Sequence, residues 1–209
     1  MLPRGRATSV LQAKAAEGAR QKTDRDCGRV NLHYGVKTRT TAFFACEPCP
    51  MKIVNHNELK EEYWASPKGT YVTGDKQISI ALGRVPASSD LNERHPFDVD
   101  ICRIPAGKTA CPYHSHSAQW EFYHVISGTG KIRHHEGVSS IGPGDAFIFK
   151  PDEPHQVIND SADDLVVYIV ADNPIGESGY YPDSGKWIVR SPERRLIRSA
   201  PVDYFDGEE

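Results

Sequence analysis

The sequence lacks any long hydrophobic run, and this excludes a membrane-spanning helix. Its apolar stretches reach seven residues, as in Leu165–Ala171, whereas a spanning helix needs about 20. The N terminus also lacks the charged, apolar and small-residue segments of a secretory signal. The cysteines are an odd number without regular spacing, which does not indicate a disulfide framework. We therefore expect a cytoplasmic protein with free thiols and no membrane partner.

The chain also lacks a large excess of charge of either sign. Its formal net charge is −3, with 25% charged and 38% hydrophobic residues, which is ordinary for a globular protein. This balance gives no reason to expect a nucleic-acid partner. The length of 209 residues suits one domain with appendages.

The two parts of the chain differ in composition. Residues 1–50 carry a net charge of +5 and show no sustained hydrophobic period, so we expect a disordered extension; residues 51–209, with a net charge of −8, are expected to form a single domain. Two explanations of the extension stay open. It is basic and poor in acids, as transit peptides are, although it is not rich in serine. Alternatively the gene start is placed too early and Met51 is the true first residue, which we favour because Met-Lys-Ile-Val is a natural beginning.

From about residue 75 to 172 the sequence consists of short segments rich in Val, Ile, Tyr and Phe, most of them separated by Gly, Pro, Asn or Asp. Short strands without intervening helices are typical of a β-sandwich or barrel, and no internal repeat is present. Before them, Asn55 followed by Glu58 predicts a short helix that continues to Trp64. The predicted strands are Gln77–Leu82, Asp98–Ile104, Trp120–Ile126, Gly130–His134, Asp145–Phe149 and Leu165–Ala171.

Two histidines and a glutamate form the first candidate site. His114 and His116 are two residues apart, so in a strand their imidazoles lie on the same face. After a turn of four residues, Glu121 opens the next strand and can return a carboxylate to the same place. Imidazole and carboxylate together suit a divalent transition metal: zinc, iron, manganese, nickel or cobalt.

A third histidine strengthens this interpretation. His155 follows a turn in which Pro151 and Pro154 restrict the backbone, and a rigid approach favours accurate ligand placement. The alternative is that all four side chains are ordinary polar residues at strand ends. Four ligand types at four suitable offsets favour a metal site formed by His114, His116, Glu121 and His155.

The first of these segments resembles the first conserved motif of the cupin superfamily. That motif is a glycine, a His-x-His pair, a glutamate four residues later and a second glycine after six more. The chain matches it almost completely, although six residues instead of five separate the first glycine from the first histidine. The matching residues are Gly107, His114, His116, Glu121 and Gly128.

The second segment resembles the second cupin motif. It keeps Gly144, His155 and Asn159, whereas Lys150 and Asp152 stand where proline and glycine are usual. These departures fall on a turn and not on a ligand. The resemblance implies an all-β, double-stranded β-helix (jelly-roll) cupin barrel that binds one divalent metal ion, with a short N-terminal helix as predicted above.

Several other residues are weaker candidates. Tyr123 shares strand parity with Glu121, so it is the best candidate to face the metal, and with Glu121 it is our candidate for proton transfer. Cys111 is expected to be a small buried residue rather than a reactive one. His124 is expected to face away, His134 to lie in a hairpin, and the Cys46–Cys49 pair lacks the setting of a redox or metal motif. Further candidates for hydrogen bonds that orient the ligands are Tyr113, Gln119 and Asn159.

Two classes of function remain open on the sequence. The first is a metal-dependent isomerase or oxidoreductase acting on a small, oxygen-rich metabolite: an isomerase of a sugar or sugar phosphate, a dioxygenase or a decarboxylase. The second is a non-catalytic module that binds or senses a small ligand, because one fold serves many functions. No basic cluster near the motifs indicates a phosphate site. Exposed sheet edges and the apolar segments around Trp64 and Trp187 lead us to expect a homodimer.

Overall fold

The computed structural model describes residues 51–86, 88, 90–190 and 193–208. The predicted N-terminal extension and the Cys46–Cys49 pair lie outside the described residues. Within the part that is described, no helix is long and apolar enough to cross a membrane.

The regular secondary structure of the described residues consists of thirteen β-strands and two helices of four residues each. The helices are α1 (Ile78–Ala81) and α2 (Leu91–Arg94). The strands are β1 (Glu62–Ala65), β2 (Val72–Gln77), β3 (Phe97–Ile104), β4 (Ser115–His116), β5 (Glu121–Ser127), β6 (Gly130–His134), β7 (Gly137–Ile141), β8 (Ala146–Phe149), β9 (His155–Ile158), β10 (Leu165–Asp172), β11 (Gly179–Tyr181), β12 (Lys186–Val189) and β13 (Arg195–Ile197).

The strands assemble into three antiparallel sheets of a jelly-roll barrel, which confirms the predicted fold class. The largest sheet has the order β1-β2-β3-β10-β5-β8, and the smaller sheets have the orders β7-β6-β9 and β13-β12-β11-β4. The core lies between the first two sheets because inward-facing residues alternate with outward-facing ones along each strand. The buried core residues are Cys102, Ile104, Tyr123, Val125, Ile132, Ile141, Phe149, Val157, Leu165 and Val167.

The turn between β5 and β6 needs two glycines. Gly128 has φ +79°, and a Cβ there would lie 2.2 Å from the Asp164 carbonyl oxygen. At Gly130 a Cβ would lie 2.5 Å from the Ile158 carbonyl oxygen. Any side chain would therefore push β6 away from β9 or strain the turn.

The helix predicted after Asn55 is wrong. The Asn55 side chain does start a turn, in which its Oδ1 accepts from the amide of Asn57 at 3.0 Å. The chain then forms β1, which pairs with β2 from Glu62 opposite Asp75 to Ala65 opposite Val72. Pairing with a distant strand therefore outweighs the local helix signal.

The predicted strand Gln77–Leu82 is also wrong, because β2 ends at Gln77 and α1 follows. The Ser79 side chain is buried, and its hydroxyl oxygen accepts from the amide of Val99 at 2.7 Å. The Ser79 hydroxyl thus gives the Val99 amide of β3 the hydrogen-bond acceptor that a longer β2 would otherwise supply. The other five predicted strands are confirmed, with boundaries that agree to within one residue.

We predict that β1 forms the interface of a homodimer. It is an edge strand, and Tyr63 and Trp64 are 67% and 50% exposed on it. Trp187, in contrast, packs on Tyr180 with ring centroids 4.6 Å apart. Light scattering at micromolar concentration should give twice the chain mass of 23.2 kDa, and Trp64→Lys should reduce it to one chain mass because a charge would be buried.

The control variant is Val138→Lys, which changes an exposed residue on β7, an edge strand of a different sheet. It should leave the mass unchanged. A single-chain mass for the unchanged protein would contradict the prediction.

Candidate metal centre

Backbone pairing brings the His-x-His segment to the start of β9. The amide of His114 donates to the His155 carbonyl at 3.1 Å, and the His155 amide donates back at 2.8 Å. On its other side β4 pairs with β11, where His116 lies opposite Gly179. These bonds hold three imidazoles on neighbouring segments.

The turn before His155 is closed by Asp152. This residue has φ +66°, which explains why related motifs carry glycine at this position; aspartate is among the residues that tolerate this conformation. Its amide donates to the His116 carbonyl at 2.7 Å. The departure from the cupin motif is therefore accommodated without moving the ligand, and the turn is tied directly to the His-x-His segment.

The four predicted ligands meet at one point. One ligand atom from each of His114, His116, Glu121 and His155 lies within 4.8 Å of all the others. The Nε2 atoms of His114 and His116 are 3.1 Å apart. Glu121 Oε2 lies 2.9 Å from His155 Nε2, and its Oε1 lies 3.4 Å from His116 Nε2.

The outer nitrogen of each imidazole is already engaged. His114 Nδ1 donates to the Pro112 carbonyl at 2.9 Å, and His155 Nδ1 donates to the Glu153 carbonyl at 3.1 Å. His116 Nδ1 donates to Glu177 Oε1 at 3.1 Å. In the neutral imidazoles the three Nε2 atoms therefore carry lone pairs that converge with a carboxylate, and this arrangement requires a cation or protons between them. The residues fit a divalent metal ion.

Glu177 is a functional residue that the sequence analysis missed. It is 5% exposed, and its carboxylate also accepts from the amides of Ser117 and Ala118 at 3.2 and 3.0 Å. A carboxylate fixed by two amides holds the ring of His116 in one orientation. No motif marks Glu177, because it follows His116 by 61 residues in a connecting segment.

Burial and mutual contacts shift the pKa values of the cluster in opposite directions. Burial and the neighbouring His155 lower the pKa of His114 to about 4. Burial also lowers the pKa of His116, but hydrogen bonds with Glu121 and Glu177 outweigh it and raise that pKa to about 9. Burial raises the pKa of Glu121, but its hydrogen bonds with His116 and His155 hold it well below the usual range.

The residues predicted to bond or orient the metal ligands differ in what they contact. The Tyr123 hydroxyl donates to Glu121 Oε2 at 2.8 Å, as its strand parity indicated. Gln119 bonds the Asp172 carbonyl, and Asn159 bonds the carbonyls of Ile104 and Asp163, so neither orients a ligand. Tyr113 lies under the Arg133 guanidinium.

The structure also shows where His124, His134 and Cys111 lie relative to the cluster. His124 is outside the cluster, as expected, and His134 bonds Ser139 across the hairpin of β6 and β7. Cys111 is not an ordinary core residue, because its sulfur lies 3.5 Å from His114 Nδ1 and it lines a cavity of about 180 Å³ beside the cluster.

The cluster opens into a larger cavity of about 900 Å³. Four arginines line it, although the sequence analysis found no basic cluster near the motifs. They come from segments before and after the motifs, so their approach depends on the fold. They are Arg84, Arg94, Arg190 and Arg194.

Two aspartates on β3 line the same cavity. Asp98 forms an ion pair with Arg84 at 3.0 Å. Oδ1 of Asp100 is buried without a hydrogen-bond partner among the described residues. Burial, together with the charges of Asp98 and Asp75, raises the pKa of Asp100 to about 7. Both aspartates fall at alternate positions of a predicted strand, and that alternation was the signal that could have found them.

The central segment of the chain matches a known protein family. Residues 100–171 match the family model of the cupin domain, and this range contains all four clustered ligands. This segment is therefore of the cupin type. A search of curated proteins found no match. Glu177 and the four arginines lie outside the matched cupin segment.

Two solved structures share the cupin fold of this chain. A protein from Acidithiobacillus ferrooxidans, provisionally assigned as a sugar phosphate isomerase, is 23% identical with a TM-score of 0.60, over 70% of this chain and 90% of its own. A sugar phosphate isomerase of the cupin superfamily from Silicibacter pomeroyi is 18% identical with a TM-score of 0.59, over 73% of this chain and 98% of its own.

Metal binding should release about one proton per ion at pH 7.5. In the metal-free protein His116 is protonated below its pKa of about 9, whereas His114, with a pKa of about 4, is already neutral. The ion must displace the His116 proton, so affinity should rise with pH until about pH 9. Calorimetric titration of Mn²⁺ in two buffers of different ionisation enthalpy measures the proton count.

Replacing Glu177 by Gln should lower the proton count, because one carboxylate that raises the pKa of His116 is removed. It should also lower the affinity, because the ring of His116 loses the carboxylate that fixes its orientation. Glu136→Gln, at an exposed turn, is the matched control and should change neither value. Equal proton release in all three proteins would show that Glu177 does not act on His116.

Proposed function

We propose that the protein is a metal-dependent enzyme that isomerises a small, oxygen-rich, negatively charged metabolite of the sugar phosphate class. The observation that carries this proposal is the position of the three-histidine, one-glutamate cluster at a cavity of about 900 Å³ lined by four arginines. The cavity has room for a small metabolite, and the arginines give it a preference for an anion.

The cluster supplies the ligands for the metal. His114, His116, Glu121 and His155 would hold a divalent ion such as zinc, iron, manganese, nickel or cobalt. When bound, such an ion polarises a carbonyl or hydroxyl oxygen of the substrate. The protein contributes the orientation of the ligands, through the Pro112 and Glu153 carbonyls and the Glu177 carboxylate.

The arginines differ in their availability for a substrate. Arg94 donates to the carbonyls of Asn173 and Pro174, so it builds the cavity wall. Arg84 is paired with Asp98. Arg190 and Arg194 are exposed and form no ion pair with any of the described residues. We therefore propose that Arg190 and Arg194 bind the phosphate group of the substrate, because one guanidinium group can donate two parallel hydrogen bonds to phosphate oxygens.

The similar structures support the substrate class. Both of those reported above bear the name of sugar phosphate isomerases, and the fold that they share with this chain extends over at least 70% of it. At 18–23% identity that likeness establishes the fold alone. The proposal of proton transfer on an anionic substrate is therefore based on this chain's own residues: the four arginines of the cavity and Asp100, whose Oδ1 has no partner among the described residues.

A screen of aldose and ketose phosphates, with dicarboxylates for comparison, should reveal turnover on protein loaded with iron, manganese or zinc. Glu121→Gln, assayed with metal in excess and shown to retain it, should lose turnover. The variant loses the negative charge of the Glu121 carboxylate, and the hydrogen bond from the Tyr123 hydroxyl changes. Arg194→Gln should raise KM for a phosphorylated sugar several-fold.

His124→Gln is the control for Glu121→Gln, since it changes the same strand outside the cluster, and it should keep turnover. Turnover of dicarboxylates with iron alone would indicate decarboxylase or dioxygenase chemistry instead. Tight ligand binding without turnover under every metal would contradict the proposal and indicate a non-catalytic binding module.

A further inference from the structure

We propose that Asp100 is the catalytic proton-transfer residue of this site, and that it shuttles a proton between adjacent carbons of the substrate. This inference rests on the function proposed above. It assigns a residue that lies outside both ligand-bearing motifs.

The sheet register places Asp100 in one row with Tyr123, whose hydroxyl bonds the cluster ligand Glu121. In β10 its partner is Ile169, and Ile169 in turn lies opposite Tyr123 of β5. The three side chains therefore form one row on one face of three adjacent strands, which spans about 10 Å at the usual strand spacing. Asp100 lines the same cavity as His114, His116 and Glu121. The Asp100 side chain and the cluster therefore border the same space for a small substrate.

Asp100 differs from the neighbouring carboxylates because one of its two oxygens, Oδ1, has no hydrogen-bond partner among the described residues. Asp98 is neutralised by Arg84 at 3.0 Å, and Asp75 accepts from the Thr73 hydroxyl at 2.8 Å. Oδ1 of Asp100 is buried yet bonds none of the described residues. An unsatisfied buried oxygen costs folding free energy, so an oxygen of this kind on a residue that lines a cavity is expected to serve a ligand.

The two residues that the sequence analysis considered for proton transfer are less suited to it. Glu121 is engaged by His116 and His155, which hold its pKa well below the usual range and make it a weak base. The Tyr123 hydroxyl donates to Glu121, and burial raises its pKa well above the usual range. Both therefore shape the cluster rather than exchange protons near neutral pH.

The charges around Asp100 suit an acid and base that works near pH 7. Asp98 on the same strand and Asp75 on β2 raise its pKa together with burial, whereas Arg84 and the Ile78 amide lower it, and the result is about 7. From β10 its partner is the uncharged Ile169. A carboxyl group tuned in this way can both accept and return a proton.

The proposed step balances without a further reactant. The Asp100 carboxylate takes the proton from the carbon beside the substrate carbonyl, and the electron pair of that C–H bond forms the C=C bond of an enediolate. The negative charge moves to the former carbonyl oxygen, which then takes the proton of the neighbouring hydroxyl. Asp100 returns its proton to the former carbonyl carbon, and the carbonyl group forms at the adjacent position. Nothing is oxidised or reduced overall.

The test is Asp100→Asn in the metal-loaded protein. We expect kcat to fall by at least about 100-fold, the usual scale of general acid–base catalysis, with metal content unchanged. Asp100→Glu should recover part of the activity. Asp160→Asn, at an exposed residue paired with Lys131, is the matched control and should keep full activity.

A second measurement does not depend on turnover. Because the folded-state pKa of Asp100 is raised, its contribution to stability is present below about pH 4 and is lost as pH rises through about 7. The melting temperature of Asp100→Asn should therefore exceed that of the unchanged protein by more at pH 8 than at pH 6. A lower melting temperature at both pH values would show a structural role and overturn the inference.

The outcomes separate this inference from the function on which it rests. Turnover that persists in Asp100→Asn would overturn the assignment of Asp100 and leave the proposed function intact. Absence of turnover in the unchanged protein, under every metal and substrate tested, would overturn both.

Discussion

Three imidazoles and a carboxylate buried against one another dominate this structure. Neutral histidines that donate through Nδ1 present lone pairs at Nε2, and here two such atoms lie 3.1 Å apart while a third faces Glu121 Oε2 at 2.9 Å. Such an arrangement is unfavourable unless positive charge lies among the four atoms. The backbone bonds between His114 and His155, the Asp152 turn and the Glu177 carboxylate all serve to hold these donors together.

Positively and negatively charged side chains line the cavity beside the cluster on different segments, and this distribution suits chemistry on an anion. Four arginines line it from segments outside the strands, while the aspartates lie on β3. Only one of those two aspartates is ion-paired, and the other keeps one carboxyl oxygen without a partner among the described residues. Metal, anion recognition and proton transfer are thus assigned to different segments, and only the metal ligands belong to the matched motifs.

The ligands could be predicted from the sequence because strand parity and short turns are local properties. His114 and His116 are two residues apart, and Glu121 opens the following strand. The helix after Asn55 was wrong because the pairing of β1 with β2 is not local. Glu177 and Arg84 belong to connecting segments, and only the folded barrel brings them to the site. Asp100 could have been predicted from strand parity, because it lies two residues after Asp98 in a predicted strand. The parity argument was applied only to the strands that carry the metal ligands.

The central claim is that the cluster holds a metal ion. The most direct test is elemental analysis of protein purified without added metal, with His155→Ala and the control His124→Ala, a histidine of the ligand strand outside the cluster. The account predicts about one equivalent of a divalent transition metal in the unchanged protein and in His124→Ala, and little in His155→Ala. Equal metal content in all three proteins, or none in any of them, would contradict it.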